Sequence, residues 1–144
     1  MQDPELKENP RKNLEILVVD GDPVTRLLHQ SRLQKHFEYP VVNCIDGKDA
    51  IVQLQKNSGS DYLVLLAIDM DGMNGWEFLE AIQIMPLKTQ VHVIMVTCSV
   101  SSSDKRIAMN FPQVLDYFEK PFSEDHIRRI PHLPRLIPYF VSAN

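Results

Sequence analysis

The sequence has no apolar run long enough for a membrane, almost no cysteine and no surplus of basic charge, and each shortage removes a class of function. Its longest uninterrupted apolar stretch is the seven residues from Tyr62 to Ile68, against the roughly 20 that a membrane-spanning helix needs. The polar opening MQDPELKENPRKN has no signal-peptide core, so a cytoplasmic protein with no membrane partner is expected. Cys44 and Cys98 are the only cysteines, too few for a disulfide framework or a metal knuckle. Both adjoin strand-like segments and read as small buried hydrophobes. The formal net charge is −4, and lysines and arginines are scattered rather than striped, so no nucleic-acid surface is expected. His29, His36, His92, His126 and His132 lie on separate segments without metal-ligand spacing, and read as surface or packing residues.

What is present is an alternation. A chain of 144 residues, 44% of them hydrophobic, fits one domain with a substantial core. Residues 1–13 are charged and aperiodic and read as a flexible arm. From Leu14 onward, apolar runs alternate with helical patterns: LEILVVD before DPVTRLLHQSRLQKHF, PVVNCI before GKDAIVQLQKN, DYLVLLAI before NGWEFLEAIQIM, VHVIMVT before SSDKRIAMNF, and VLDYF before SEDHIRRI. In the first helix Pro23 marks the start, and Val24, Leu27 and Leu28 fall at helical spacing. The runs Ile16–Val19, Leu63–Ile68 and Val93–Val96 are apolar on consecutive residues, as in strands buried on both faces. The expected fold is therefore α/β, a (βα)5 doubly wound five-stranded parallel sheet of flavodoxin-like form in a single domain. Ligands of such sheets bind beyond the carboxyl ends of the strands. Those ends here are Asp20, Ala67 to Asp71, Thr97 and the segment after Tyr117.

Read together, the strand ends VVDGDP, MNG, VIMVT and DYFEKPF resemble the motifs of the receiver domain of two-component response regulators, in order and spacing, over residues 14–130. The resemblance implies a domain in which an aspartate after the third strand takes a phosphoryl group from a histidine kinase, with Mg²⁺ held by that aspartate and by acids after the first strand. A carboxylate attacks an anionic donor poorly unless cations cancel the charge, which is the task of the metal and a lysine. Carried onto this sequence, Asp20 matches the first acid, Thr97 the hydroxyl that bonds the phosphoryl group, Tyr117 the aromatic switch, and Lys120 the lysine before a proline whose peptide is typically cis. Two positions depart from the pattern. Ala67 stands at the phosphoacceptor, with Asp71 at the usual proline, and Gly21 stands at the second acid.

An alanine methyl accepts no phosphate, and losing two carboxylates weakens a site for a hard cation. The expectation is thus a stand-alone pseudo-receiver, not an enzyme, with no cofactor and Mg²⁺ bound weakly or not at all. Asp20, Asp22 and Asp69 would form a remnant acidic pocket, with Asp20 and Asp69 the candidate metal ligands. Rescue of the acceptor by Asp69 would displace the nucleophile by roughly 6 to 7 Å. Expected partners are signalling proteins, a histidine kinase or a downstream effector, and a second copy of the chain is a further candidate.

Simpler roles stand beside these. Asp20 and Asp22 suit a cap and a loop acid, Thr97 can satisfy backbone at the strand end, Lys120 is expected to pair with Asp20, and Trp76 suits helix-face packing. In isolation LLAIDMDGM also resembles the first motif of haloacid-dehalogenase-like phosphohydrolases, with Asp69 as nucleophile, Asp71 as acid and base, and Thr97 and Lys120 in supporting roles. Against it, Met73 replaces a threonine and two βα units precede the motif. The end of the chain, residues 131–144, is both proline-rich and apolar. Pro131, Pro134 and Pro138 forbid one continuous helix, while Leu133, Leu136, Ile137, Tyr139, Phe140 and Val141 are too apolar for a solvated end. Folding back on the domain and serving as a docking or dimerisation segment are both open.

Overall fold

A computed structural model describes residues 12–56 and 59–140. The flexible arm expected over residues 1–13 lies almost wholly outside the described residues. Five strands, β1 (Leu14–Val19), β2 (Val41–Cys44), β3 (Asp61–Leu66), β4 (Val91–Thr97) and β5 (Val114–Glu119), form one parallel sheet. Its order is β2-β1-β3-β4-β5. Between and after them come α1 (Pro23–His36), α2 (Gly47–Leu54), α3 (Gly75–Ile84), α4 (Ser102–Met109) and α5 (Glu124–Arg129). The expected (βα)5 alternation is present, with helix ends differing by a few residues from the sequence pattern, as fraying turns do.

The unbroken apolar runs are buried on both sides because successive side chains point to opposite faces. Leu17, Val19, Val64, Leu66, Val93 and Met95 pack with Phe78, Leu79 and Ile82 of α3 and with Ala50 and Leu54 of α2. Their neighbours Ile16, Val18, Leu63, Leu65, Ile94 and Val96 face the other way, onto Leu33 of α1 and Ile127 of α5. Trp76 packs against the first of these clusters, as its place on the helix face suggested.

On α1 the apolar spacing and the packing face do not coincide. Val24, Leu27 and Leu28 are 62%, 65% and 57% exposed, whereas the buried residues of the helix are His29 and Leu33. At about 100° per residue, 29 and 33 share a side that 24 and 28 cannot reach. His29 fits this apolar position by setting its ring edge against Phe122, with centroids 5.1 Å apart. Burial pushes its pKa down to about 4. The cysteines also divide: Cys44 is buried, with burial pushing its thiol up to about 12, but Cys98 is exposed, contrary to the expectation of two buried hydrophobes. Cys98 lies one residue past the end of β4, where the chain leaves the sheet.

After α5 the prolines divide the chain into two 3₁₀ turns, Ile130–His132 and Pro134–Leu136, and a last helical turn, α6 (Ile137–Phe140). This segment folds back on the domain. Leu136 and Tyr139 are buried, and Leu133 and Phe140 pack partly against the same cluster. The Tyr139 hydroxyl donates to Asp61 Oδ2 at 2.6 Å and lies 3.1 Å from His92 Nε2. Phe140 packs against Phe37 and Tyr39 with centroids 4.9 and 5.6 Å away. Of the two roles left open by the sequence, the structure shows folding back: four of its apolar side chains pack onto the domain, each fully buried one contributing roughly 1.5 to 3 kcal/mol. Val141, also counted as apolar tail, lies outside the described residues.

Candidate functional site

The loops after β1, β3, β4 and β5 converge where the strand order reverses, on a cleft of about 610 Å³ lined by Asp20, Asp22, Ala67, Asp69, Asp71, Thr97, Cys98 and Lys120. Parallel register sets this meeting point: Val19 is level with Leu66, and Ala67 N–H donates to Val19 O at 3.0 Å. The loop beyond Ala67 turns tightly into α3. Gly75 N–H donates to Ile68 O at 2.8 Å, and a Cβ on Gly75 would stand 2.4 Å from Ala67 O. Only glycine permits that approach. Asn74 and Glu77 then cap α3 reciprocally, each side chain accepting from the other's backbone N–H at 2.9 Å.

Asp20 is the buried acid of the cleft. Its Oδ2 accepts from Lys120 Nζ at 2.6 Å and its Oδ1 from Asp22 N–H at 2.9 Å. Arg26 of α1 donates to the Asp20 carbonyl at 2.7 Å, a contact that no motif in the sequence announced. Both oxygens of the one buried carboxylate are thus engaged by the protein itself, as the expected Lys120–Asp20 pair required. Asp22 is the N-cap of α1: it accepts from Val24 N–H, Thr25 N–H and, at 2.6 Å, the Thr25 hydroxyl. The Thr25 hydroxyl, with the amides of the first turn, holds this exposed carboxyl below its ordinary range. It is thus a helix cap that also lines the cleft.

Thr97 and Tyr117 meet through Ser99, a residue that no motif in the sequence singled out. Thr97 Oγ1 accepts from Ser99 N–H at 3.3 Å, and the Tyr117 hydroxyl donates to Ser99 O at 3.2 Å. Both side chains are buried. Ser99 also donates through its hydroxyl to Asp104 Oδ2 at 2.7 Å, tying this bridge to the first turn of α4. Lys120 N–H donates to Thr97 O at 2.9 Å, and the Lys120–Pro121 peptide is cis. Asp69 and Asp71 are exposed on the rim, and among the described residues neither has an ion-pair or hydrogen-bond partner.

A model described as the response regulator receiver domain matches residues 16–130. The chain belongs to the response regulator receiver family. Similar proteins include the uncharacterized transcriptional regulatory protein YcbL of Bacillus subtilis (strain 168), 31% identical over 108 residues, which are 75% of this chain and 44% of that protein. The two-component response regulator ARR2 of Arabidopsis thaliana is 30% identical over 118 residues, 82% of this chain and 17% of that protein. The chain thus spans less than half the length of either relative. Among solved structures, a CheY-like receiver domain protein from Methanospirillum hungatei JF-1 superposes with a TM-score of 0.70 at 28% identity, over 86% of this chain and 97% of its own. A receiver protein from Dyadobacter fermentans DSM 18053 gives 0.74 at 22% identity, over 87% and 98%, a likeness of fold.

The receiver assignment removes support from the phosphohydrolase alternative. Asp69 and Asp71 lie on the rim of a third-strand loop, and neither touches Lys120 or Thr97 as that chemistry demands. A hard cation needs several oxygen ligands, yet Gly21 and Ala67 supply no side-chain oxygen and Asp20 is engaged by Lys120 and a backbone amide. Among the described residues no group of three acidic, histidine or cysteine side chains is arranged to hold a metal. Nor is any helix among them long and apolar enough to cross a membrane.

Proposed function

We propose that this receiver is a pseudo-receiver: it takes part in two-component signalling by protein–protein contact and not by accepting a phosphoryl group. The observation that carries the reading is the pairing of Lys120 with Asp20 at 2.6 Å above an alanine at position 67. The cation that would neutralise an incoming phosphoryl group is already neutralised, and position 67 offers no nucleophile. In an ordinary receiver the phosphoryl group shifts an equilibrium between surface states. Here the buried Tyr117 and its link through Ser99 to Thr97 hold one arrangement without it. The domain then acts on a histidine kinase or a downstream effector as a fixed surface, as a non-enzymatic binding module.

Incubation with acetyl phosphate and Mg²⁺, read by intact mass spectrometry, tests the reading. The chain is expected to stay unmodified. Near-stoichiometric gain of one phosphoryl group would overturn the proposal, and peptide mapping would then direct attention to Asp69.

A further inference from the structure

Tyr139 of α6 is tied to two strands at the end of the sheet away from the cleft. Its hydroxyl stands between Asp61, the first residue of β3, and His92, the second of β4. Its carbonyl accepts from the Tyr39 hydroxyl, and Lys12 Nζ lies over its ring, 5.9 Å from the centroid. Arg135 adds a bond to Pro112 O at 2.6 Å. The polarity of these bonds fixes the proton on His92. Burial, with the Asp61 carboxylate beside it, pushes the pKa of Tyr139 up, so the hydroxyl keeps its proton and donates it to Asp61 Oδ2. The hydroxyl oxygen is then an acceptor for His92, whose ring carries its hydrogen on Nε2. Nδ1 is left bare, buried and without a partner among the described residues. A second proton would go to Nδ1 and make a buried cation with an N–H that nothing accepts, which is costly. Burial weighs most against that cation. Asp61 favours it but is bonded to the ring through the Tyr139 hydroxyl, its Oδ1 being taken by the Gln90 N–H at 2.9 Å, and Arg135 and Lys12 oppose it.

We propose that His92 is a pH-sensitive latch: protonation of its ring releases residues 133–140 from the amino end of the sheet while the rest of the domain stays folded. With the segment gone the ring meets water and takes up a proton near its ordinary value of about 6.5; with the segment docked it does so only at lower pH. The docked state is therefore complete above about pH 6.5 and is lost as the pH falls below that value. Release is local because the segment supplies no strand, so its departure breaks no sheet ladder. It withdraws the buried Leu136 and Tyr139 from the cluster they share with Leu14 and Leu63 and leaves an apolar face uncovered. The latch stands at the opposite end of the strands from the cleft and does not depend on what position 67 can accept.

Amide hydrogen exchange on the full chain at about pH 7.5 and 5.5, corrected for the intrinsic pH dependence of exchange, tests this. The reporters are the amides of Leu136 and Ile137, which donate to Leu133 O at 2.8 and 3.2 Å. Their protection should fall by up to roughly tenfold per pH unit below about 6.5, the limit for one proton, and should stay below that of the β1 and β3 amides at both pH values. The His92 ring signals, followed by NMR in the parent, should titrate together with that fall. His29→Leu should show the same fall, because His29 is not the group that titrates here. His92→Phe and His92→Gln, neither of which takes up a proton, should show none, and the glutamine keeps an N–H donor should the phenylalanine variant fail to fold. Protection that ignores pH in the parent, a ring that titrates apart from the segment, a fall that vanishes in His29→Leu or persists in a His92 variant, or segment amides that exchange no faster than those of β1 would each overturn the latch.

Discussion

Position 67 carries only a methyl group, and the ammonium of Lys120 pairs with Asp20, 2.6 Å away. On the pseudo-receiver reading proposed above, the side chains at 67 and 21 supply no oxygen donor, and Asp20 is engaged with a cation. Gly21 has room, because a Cβ there meets nothing closer than 3.7 Å, and its φ is not in the left-handed range. A carboxylate at 67 would project into the cleft. Gly21→Asp with Ala67→Asp should therefore gain Mg²⁺ affinity, with Ala67→Asp alone intermediate and the parent unresponsive. At Mg²⁺ a hundredfold above Kd the stabilisation would be about 2.7 kcal/mol, a shift of several degrees in Tm. A folded double variant whose melting ignores Mg²⁺ would show that the loop is misaligned. Asp20, Thr97, Tyr117 and Lys120 were legible in the sequence because they stand at strand ends in a fixed order. Ser99 and Arg26 were not, since each acts through main-chain groups whose positions depend on how the loops turn.

Helix α1 shows how far periodicity reaches. Spacing correctly predicts that residues 23–36 are helical, but it does not say which stripe faces the sheet. Val24, Leu27 and Leu28 suggest one face, and the fold uses the face of His29 and Leu33. The two assignments differ in stability. Leu33 is fully buried, so Leu33→Ala should cost about 2 to 5 kcal/mol. Leu28→Ala should change stability by less than about 0.5 kcal/mol. Urea denaturation separates the outcomes; equal losses at both positions would mean that the helix is rotated. The terminal segment teaches a related lesson. Three prolines exclude a regular helix, but only the hydrogen bond from Tyr139 to Asp61 and the burial of Leu136 show that the broken chain packs onto the domain.

At the scale of the whole molecule, two buried histidines couple folding to pH. Burial lowers the pKa of His29 to about 4 and lowers that of His92 as well. His92 is further constrained, because its Nδ1 is buried without a partner among the described residues. Both rings are neutral in the folded state, whereas the unfolded chain takes up protons near the ordinary value of about 6.5. The unfolded state binds more protons below that value, so stability is full above about pH 6.5 and falls as the pH drops toward 4. For His29 alone the loss is on the order of 2 to 3 kcal/mol. Asp22 and Glu124, whose pKa values are lowered, add losses only when carboxylates begin to protonate. Unfolding free energies at about pH 7.5 and 5, for the parent and His29→Leu, should differ much more in the parent. An equal pH dependence in both would mean that His29 is not a source of the coupling.

By itself the sequence determined the parallel (βα)5 sheet, because unbroken apolar runs cannot be stable unless covered on both faces, and it determined which strand ends converge, because parallel strands all point their carboxyl ends one way. It also determined that positions 67 and 21 offer no side-chain oxygen, since they hold alanine and glycine. The tertiary structure alone decided that Tyr117 and Thr97 share the backbone of Ser99, that α1 turns three large aliphatic side chains to solvent, and which of the two open roles the proline-broken end takes in the fold. Each of those is a choice among faces or partners that are equivalent in sequence spacing. Packing across the sheet settles it, since only one arrangement buries Leu33 and Tyr139 while giving Asp20 and Asp61 their hydrogen bonds.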